Sequence, residues 1–329
     1  MMKNSIRVVS GIRSTGETHL GHYFGALKNW IALQHQYECF FFAADWHAFT
    51  TEYKDTSHIR SFALNNVADW LALGLHPEKA TIFIQSHVPE HAELYLIFSM
   101  MTPLGWLERN PTYKEQIQQL QNKDLSMLGF LGYPVLQAAD IALYRGTQVP
   151  VGEDQLSHLE LTREIIRRFN HLYGNLLLEP EALLSDAPKL LGSDGRKMSN
   201  SYGNAIYLSD AKKVVIDKVM TYMTDPARKR RQDPGDPFKC PLFTLHQRFS
   251  GVPVIHDVIS GCQTAGIGCI DCKKKLLESL TPWHDAFLER RHDLTVHPKK
   301  VEEILEAGVR KATLEAQKTL LDVRGALKL

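Results

Sequence analysis

The chain of 329 residues is long enough for one large domain or two ordinary ones. Hydrophobic residues make up 44% of it and charged residues 23%, which is typical of folded globular proteins and excludes a disordered or low-complexity chain. Because 38 Lys and Arg are balanced by 37 Asp and Glu, the formal net charge is only +1, and any contact with nucleic acid must use local basic patches.

The longest strongly apolar run, residues 39–44, ends at Asp45 and is far shorter than the ~20 apolar residues of a membrane-spanning helix. The first residues lack the apolar core of a secretory signal. Four of the five cysteines lie between positions 240 and 272, which suits metal or redox chemistry in a reducing compartment better than a disulfide framework. The sequence therefore predicts a soluble, cytoplasmic protein.

Short apolar runs alternate with amphipathic ones along the first half of the chain. The spacing predicts strands at 6–9, 39–44, 80–85 and 147–151, and helices at 20–36, 58–75, 90–101, 125–144 and 154–169. This βαβα order predicts an α/β fold with a doubly wound parallel sheet of the Rossmann type. Ligands of such sheets bind beyond the carboxyl ends of the strands, so residues 10–16, 45–47, 85–87 and 152–155 are predicted to line one cleft.

Near residue 205 the pattern changes to helix-forming segments with many basic residues. We predict a catalytic domain over residues 1–204 and a second, mostly helical domain over 205–329. An amphipathic helix is predicted at 301–327. Three basic clusters, at 228–231, 273–275 and 299–300, are either solvated surface or contacts for nucleic acid.

A glycine-containing loop, residues 11–16, follows the first predicted strand. Its spacing matches a P-loop, but Glu17 stands where the phosphate-binding lysine is needed, and a carboxylate repels a triphosphate. The segment His19-Leu-Gly21-His22 then enters a predicted helix. Two imidazoles at the positive end of a helix suit a phosphate chain, and Gly21 would let a nucleotide approach the backbone closely. Taken alone, the two histidines could equally be ordinary surface residues.

A second polar loop, far along the chain, contains Lys197, Met198, Ser199, Asn200 and Ser201. A mobile loop with a lysine and two serines can close on phosphates, and nucleotidyl transfer depends mainly on such positioning and on electrostatic stabilisation. On its own, this loop could also be a polar linker.

Together, the His-x-Gly-His and Lys-Met-Ser-x-Ser motifs resemble the paired signatures of the class I aminoacyl-tRNA synthetases. Within that class the chain resembles the tryptophanyl-tRNA synthetases, in residues 10–16, 44–47, 83–86, 133–140, 149–155 and 158–163. The resemblance implies activation of L-tryptophan by ATP, giving tryptophanyl-adenylate and pyrophosphate, and transfer to the 3′ end of tRNA(Trp). It also implies a homodimer, and Mg²⁺ is expected on the phosphates.

In this reaction the substrate carboxylate is itself the nucleophile, which fits a sequence without a Ser/His/Asp or Cys/His arrangement. The resemblance implies catalytic roles for His19, His22, Lys197, Ser199 and Ser201. It implies ATP binding by Arg13, Ser14, Thr15, Gly21, His22, Gly152, Glu153, Asp154, Leu190, Lys197, Met198, Ser199, Asn200 and Ser201.

Asp140 is the residue expected to decide substrate specificity. It lies on an apolar predicted helix, where a lone acid is costly unless it is paired or bound to a ligand. In the family the matching acid accepts a hydrogen bond from the indole N–H, and such a site rejects analogues that lack the polar group. The alternative is an ion pair with the nearby Arg145. The resemblance implies further tryptophan contacts from Tyr133, Gln137, Gln155, His47 and Val9.

Three positions depart from the commonest family pattern. Asn200 replaces the second lysine of Lys-Met-Ser-Lys-Ser, which leaves Lys197, with Arg196, to follow the pyrophosphate. Arg13 stands where many bacterial members have Gln, and Gln137 stands where Met is common and where tyrosyl enzymes also carry Gln. A tyrosyl-tRNA synthetase is therefore the nearest alternative. A non-ligating paralogue that binds tryptophan or RNA and a simpler nucleotidyltransferase are the others.

Cys240, Cys262, Cys269 and Cys272 are separated by 21, 6 and 2 residues. Four thiolates suit either Zn²⁺ or an iron–sulfur cluster, and reduced thiols that merely pack are the third option. Two glycines between them favour the bulkier cluster. The spacing resembles that of tryptophanyl-tRNA synthetases with a [4Fe–4S] cluster near the anticodon-binding surface, which implies that lysines 273–275 are available to phosphates.

Overall fold

The computed structural model of the chain describes residues 6–111, 126–152, 155–184 and 190–329, so Glu153 and Asp154 lie outside the described residues. The strands are β1 (Arg7–Arg13), β2 (Glu38–Ala44), β3 (Ala80–Ile84), β4 (Gln148–Val151) and β5 (Glu181–Leu184). They form a parallel sheet in the order β3-β2-β1-β4-β5. The strand order reverses at β1, as in doubly wound sheets, and this confirms the predicted α/β class.

The α-helices of the described residues are α1 (Leu20–His22), α2 (Lys28–Leu33), α3 (Asp45–Glu52), α4 (Ile59–Leu73), α5 (Glu90–Met101), α6 (Leu104–Glu108), α7 (Leu128–Leu143), α8 (Leu156–Tyr173), α9 (Lys212–Thr221), α10 (Phe243–Phe249), α11 (Val252–Gln263), α12 (Cys269–Val296) and α13 (Pro298–Leu327). Single 3₁₀ turns lie at Gln85–His87, Asn200–Tyr202 and Pro237–Lys239. Among these helices, none combines the length and the apolar character needed to cross a bilayer.

Most of the predicted strands and helices are confirmed to within a few residues, with three differences. The helix predicted over 20–36 is helical from Leu20 to Leu33, but a π-helical segment, Tyr23–Leu27, interrupts it between α1 and α2. Residues 45–47, predicted only to line the cleft, begin helix α3. Strand β5 is not predicted, because its residues are half-buried or exposed and lack the apolar run of a central strand.

The chain divides into two compact units. The sheet unit comprises Met1–Gly16, Lys28–Asp186 and His297–Leu329, and it contains all five strands and helix α13. The helical unit comprises Glu17–Leu27 and Ala187–Val296. The two histidines of the first motif therefore belong to the same unit as the Lys197 loop. The functional domain boundary at residue 204 stays a prediction.

The apolar segment of β2 is a central strand with aromatic residues on both faces. Phe40 and Phe41 are fully buried, and successive side chains of a strand point to opposite faces. Trp30 of α2 stacks on Phe41 with a centroid separation of 4.3 Å, and Tyr144 stacks on Phe40 at 4.7 Å. This double coverage explains why the run shows no polar alternation.

Helix α13 packs directly on β3. The contact is closest at Gly308, where an added Cβ would lie 1.8 Å from the carbonyl oxygen of Ile82. A backbone oxygen in the sheet cannot move aside as a flexible side chain can. The packing of the last helix on the sheet therefore requires glycine at this position.

Replacing Gly308 with alanine should lower the free energy of unfolding by about 1–3 kcal/mol, the cost of overpacking a rigid contact. Gly325 on the same helix is a matched control, since an added Cβ there meets no atom within 4 Å. Alanine at position 325 should be neutral or stabilise by up to about 1 kcal/mol through helix propensity. Urea denaturation measures both variants, and equal stabilities would contradict the proposed close contact.

Candidate active site

The carboxyl ends of β2 and β3 are joined through Asp45, the first residue of α3. Its carboxylate accepts hydrogen bonds from the backbone N–H of Ser86 at 3.0 Å and of Trp46 at 3.1 Å. Helix α3 therefore starts directly at the end of β2, and His47 lies in its first turn. His47 is only 8% exposed. The topology thus places a histidine at the strand ends, where a doubly wound sheet binds its ligands.

Asp140 of α7 is 2% exposed, and its carboxylate accepts three hydrogen bonds. Oδ1 accepts from Nε2 of Gln85 at 2.7 Å and from Nδ1 of His91 at 2.6 Å, and Oδ2 accepts from Nε2 of His47 at 2.7 Å. Burial acts to raise the pKa of Asp140, but the hydrogen bonds from His47 and His91 lower it to about 2. Asp140 is therefore a buried carboxylate at neutral pH.

The ion pair between Asp140 and Arg145 that the sequence allowed is wrong. Arg145 pairs with Asp322 of α13 instead. The partners of Asp140 come from three other elements. Gln85 belongs to residues 85–87, which were predicted to line the cleft, but no role was predicted for it. His91 was not predicted, and its only signal in the sequence is polar character within a buried segment.

Tyr133, predicted to contact tryptophan, lies on α7 and is half-buried. Its hydroxyl is 2.7 Å from Nε2 of His158, whose Nδ1 is 3.1 Å from the amide nitrogen of Asn110. The Tyr133 ring also faces His47 edge-on, with centroids 6.4 Å apart. His47 thus contacts both the ring of Tyr133 and the carboxylate of Asp140.

The other predicted tryptophan contacts are distributed around this group. Gln137 follows Tyr133 by one helical turn on α7 and is half-buried, as is Gln155, which precedes α8. Val9 is fully buried in β1 and belongs to the apolar core of the sheet unit. The roles of these three residues stay predictions.

The loop after β1 carries predicted ATP-binding residues. Arg13 is exposed and Thr15 is half-buried, whereas Ser14 is fully buried. Within the described residues the Ser14 hydroxyl has no hydrogen-bond partner. A buried hydroxyl without a partner is costly, so this group suits a ligand or water. Gly152, which follows β4, is half-buried.

In the helical unit, His19 and His22 form a reciprocal cap at the start of α1. The backbone N–H of His22 donates to Nδ1 of His19 at 3.2 Å, and the backbone N–H of His19 donates to Nδ1 of His22 at 3.4 Å. Their rings stack with centroids 3.7 Å apart. Burial, followed by the charges of His22 and Lys197, lowers the pKa of His19 to about 2. His19 is therefore neutral, and its proton is on Nε2.

Gly21 lies beside the His19 ring, and an added Cβ would be 2.8 Å from Cε1 of His19. The stacked histidines thus give an internal reason for glycine here, besides the predicted approach of a nucleotide. The same Cβ would lie 3.5 Å from Cβ of Met198, which is buried. The two signature motifs are therefore neighbours within the helical unit.

The loop that carries Lys197 is organised by Asn204, which the sequence did not predict. The buried Asn204 accepts from the backbone N–H of Ser199 at 2.9 Å and donates to Asp194 at 2.7 Å. The backbone N–H of Met198 donates to the carbonyl of Leu190 at 2.9 Å. The loop is consequently held at its base by defined hydrogen bonds rather than being an unstructured linker.

The polar side chains of this loop differ in the hydrogen bonds that they make. Asn200 donates to the carbonyl of Glu17 at 3.4 Å, and Ser199 accepts from the backbone N–H of Ser201 at 3.3 Å. Asn200 thus ties the second motif to the segment that carries the first.

Arg196 and Lys197 are both exposed, but Arg196 makes an ion pair and a ring contact within its own loop. Its guanidinium pairs with Asp194 at 2.6 Å and lies 4.2 Å over the ring of Tyr202. The expectation that Arg196 follows the pyrophosphate is therefore not supported. Lys197 is the cation that lies close enough to His19 to lower its pKa.

A family model described as tRNA synthetases class I (W and Y) matches residues 1–283. The tryptophan–tRNA ligase of Thermotoga maritima is 50% identical over 326 residues, covering 98% of this chain and 99% of the relative. The tryptophan–tRNA ligase of Aquifex aeolicus is 43% identical, covering 98% and 100%. The chain belongs to the tryptophanyl-tRNA synthetases.

The fold of this synthetase agrees with that assignment. The crystal structure of the Campylobacter jejuni tryptophanyl-tRNA synthetase, complexed with ADP and tryptophan, superposes with a TM-score of 0.88 at 32% identity. The match covers 98% of this chain and 100% of the other. The class I resemblance drawn from the two motifs is thereby confirmed over essentially the whole chain.

The four clustered cysteines of the synthetase line one small cavity of about 20 Å³ in the helical unit, partly open to solvent. None of them is in a disulfide. Burial, with the charges of the other three cysteines, raises the pKa of Cys272 to about 12. Among the described residues, no three His, Cys, Asp or Glu side chains are arranged to hold a metal ion.

The basic run 228–231 binds the loop between Cys262 and Cys269. Arg228 donates to the carbonyl of Ile267 at 2.7 Å, and Arg231 donates to that of Ala265 at 2.7 Å. These two arginines are therefore held by the cysteine loop rather than freely solvated, and an RNA contact by the run stays a prediction. Their role within the synthetase is to shape the cysteine loop.

The adjoining lysines 273–275 are also largely engaged within the synthetase. Lys273 is only 8% exposed and donates to the carbonyl of Met220 at 2.7 Å. Lys275 pairs with Asp257. The expectation that all three lysines are available to phosphates is therefore wrong. Cys39, the fifth cysteine, is 1% exposed within β2, where a thiol packs as a small hydrophobe.

Proposed function

We propose that this chain ligates L-tryptophan to tRNA(Trp), first forming tryptophanyl-adenylate and pyrophosphate from ATP. The observation that carries the proposal is the ionised, buried carboxylate of Asp140, which retains acceptor capacity on Oδ2 after its contact with His47. An indole N–H is the donor that such a position requires. The likeness of the whole chain to curated tryptophan–tRNA ligases supports the same reaction.

In the activation step, a tryptophan carboxylate oxygen attacks the α-phosphorus of ATP, and the bond to the β-phosphate oxygen breaks. No protein nucleophile is needed. His19 is neutral with its proton on Nε2, so it acts as a hydrogen-bond donor to phosphate and not as a general acid. Lys197, with the serines of its loop, supplies positive charge to the departing pyrophosphate, which Mg²⁺ bound to the substrate would also neutralise.

Tyrosine is the competing substrate, because a phenol hydroxyl could also donate to Asp140. The relatives that cover the chain at 43–50% identity are tryptophan–tRNA ligases, and they favour tryptophan. A non-ligating paralogue is disfavoured because the histidines and the Lys197 loop are assembled in one unit.

Pyrophosphate exchange into ATP should depend on tryptophan and should be at least about 10²-fold slower with any other amino acid, tyrosine included. The assay is run with all twenty amino acids at equal concentration. Exchange that is faster with tyrosine would establish the tyrosyl alternative. Tryptophan binding by calorimetry without any exchange would establish the non-ligating paralogue.

A ligase of tRNA acts where translation occurs, so we expect the protein in the cytoplasm with tRNA(Trp) as its partner. We expect a homodimer, which exposed apolar side chains on neighbouring helices support. Met100 of α5 is 77% exposed, Leu104 of α6 56% and Leu128 of α7 76%. A monomeric mass by light scattering at micromolar concentration would contradict the dimer.

The four cysteines are proposed to hold a [4Fe–4S] cluster. The supporting observations are a cavity lined by all four thiols and the two glycines of the loop between Cys262 and Cys269, and Zn²⁺ is the alternative occupant. Gly235 adds to the fit, because a Cβ there would lie 2.8 Å from Sγ of Cys262. When bound, the cluster would cross-link the segments that carry its ligands and could carry one electron.

Protein purified without oxygen should contain about four iron and four sulfide per chain and absorb visible light, as iron–sulfur clusters do. Cys269→Ser should lose the iron and the absorbance, whereas Cys39→Ser should retain both, since Cys39 lies in the sheet unit. One equivalent of zinc without iron would refute the cluster and establish the zinc alternative.

A further inference from the structure

His91 and Tyr144 form a second layer of hydrogen bonds behind the Asp140 carboxylate, on its Oδ1 side. Nε2 of His91 is 2.7 Å from the hydroxyl of Tyr144, and Nδ1 of the same ring is 2.6 Å from Oδ1 of Asp140. His91 and Tyr144 are both fully buried. A chain of three buried polar groups thus runs from a phenol to the carboxylate.

The direction of each hydrogen bond in this chain can be assigned. Asp140 is ionised and only accepts, so Nδ1 of His91 carries a proton and donates. Among the described residues, the Tyr144 hydroxyl has His91 as its only hydrogen-bond partner. A buried phenol proton must have an acceptor, so the Tyr144 hydroxyl donates to Nε2 of His91. Burial also raises the pKa of Tyr144 well above its ordinary value, which keeps this proton in place.

The two oxygens of the carboxylate face different surroundings. On the Oδ1 side, the His91 ring lies among aromatic core residues, with centroids 5.7 Å from Phe42 and 6.0 Å from Phe83. On the Oδ2 side, His47 faces the ring of Tyr133, a predicted tryptophan contact. Two donors on Oδ1, from Gln85 and His91, fill the usual capacity of that oxygen.

We propose that Tyr144 and His91 are specificity-positioning residues: they lock one oxygen of Asp140 so that only the other, Oδ2, can accept the indole N–H. The inference rests on the proposed function, because it concerns how the same site reads tryptophan. Its consequence is that discrimination for the ring N–H depends on a hydroxyl that does not touch the substrate. Without Tyr144, the imidazole can adopt the other tautomer or turn, and the carboxylate loses its fixed orientation.

The test compares tryptophan with 3-(benzothiophen-3-yl)alanine, in which sulfur replaces the ring N–H. In Tyr144→Phe, the ratio of kcat/KM for tryptophan to that for the analogue should fall about tenfold, the effect of losing one hydrogen bond. The change should appear in KM for tryptophan, with kcat and the KM for the analogue nearly unchanged. Tyr95→Phe is the control, because it removes a hydroxyl of helix α5 that does not take part in the Tyr144–His91–Asp140 hydrogen bonds. This variant should leave the ratio unchanged.

A second pair of variants keeps the inference testable if Tyr144→Phe is poorly folded. His91→Leu should lose most of the discrimination, and His91→Asn should recover much of it, because its amide N–H can replace the Nδ1 donor. A ratio that stays at the wild-type value in Tyr144→Phe and His91→Leu, even with lowered thermal stability, would overturn the inference and leave a purely structural role. Absence of tryptophan-dependent exchange in the wild type would instead refute the proposed function.

Discussion

Asp140→Asn should lower kcat/KM for tryptophan in pyrophosphate exchange by about 10²–10³-fold while the protein stays folded. The substitution keeps the shape of the side chain but turns one oxygen into an NH₂ donor. At the Oδ1 position this group would face two donors, Gln85 and His91, whereas at Oδ2 it faces only His47. The amide nitrogen should therefore take the Oδ2 position and oppose the indole N–H.

The matched control is Arg145→Gln, since the sequence alone offered Arg145 as the partner of Asp140. Arg145 makes a part-exposed pair with Asp322, so its loss should cost about 0–1 kcal/mol of stability and leave exchange within about twofold. Steady-state exchange and thermal melting measure both variants. The assignment of Asp140 fails if Asp140→Asn keeps wild-type kcat/KM for tryptophan.

Lys197→Ala should reduce kcat for exchange by about 10²–10³-fold, the usual effect of removing one group that stabilises charge in the transition state. The KM for tryptophan should change little, because the residues predicted to contact tryptophan belong to the sheet unit. Single-turnover formation of adenylate, measured by rapid quench, separates this effect from substrate binding.

Arg196→Ala is the control for charge alone, because it removes a neighbouring cation that pairs with Asp194 and lies over Tyr202. Its effect on kcat should be only a few-fold. Equal losses in the two variants would mean that the loop acts through its net charge and not through the position of Lys197.

Much of this enzyme can be predicted from local pattern. The continuous apolar run of β2 predicts a central parallel strand, which is confirmed. An acid within the apolar helix α7 predicts a buried functional group at Asp140; its burial is observed, and its role in binding tryptophan stays a prediction. The paired motifs identify the family, since nucleotide chemistry demands particular residue types in a short span.

Other features depend on residues brought together from distant segments. Gln85 and His91 reach the Asp140 carboxylate from separate elements, and Tyr144 is joined to it through His91. The position of Gln85 after a strand places it near the cleft, but nothing in the sequence predicts the hydrogen bonds of these three residues. The basic run 228–231 illustrates the opposite error, because two of its arginines bind backbone carbonyls of a loop more than thirty residues away. The sequence shows that residues 228–231 are positively charged, but it does not show which groups the arginines contact.

The sequence by itself therefore determined the fold class, the family and the chemical types of the key residues, since these follow from periodicity, burial and short motifs. Only the tertiary structure decided the state of each group: that His19 is a neutral capping residue, that Arg196 is paired, and that one oxygen of Asp140 is occupied from the core. Hydrogen-bond partners and pKa values depend on through-space distances of a few ångströms, and chain order does not specify those distances.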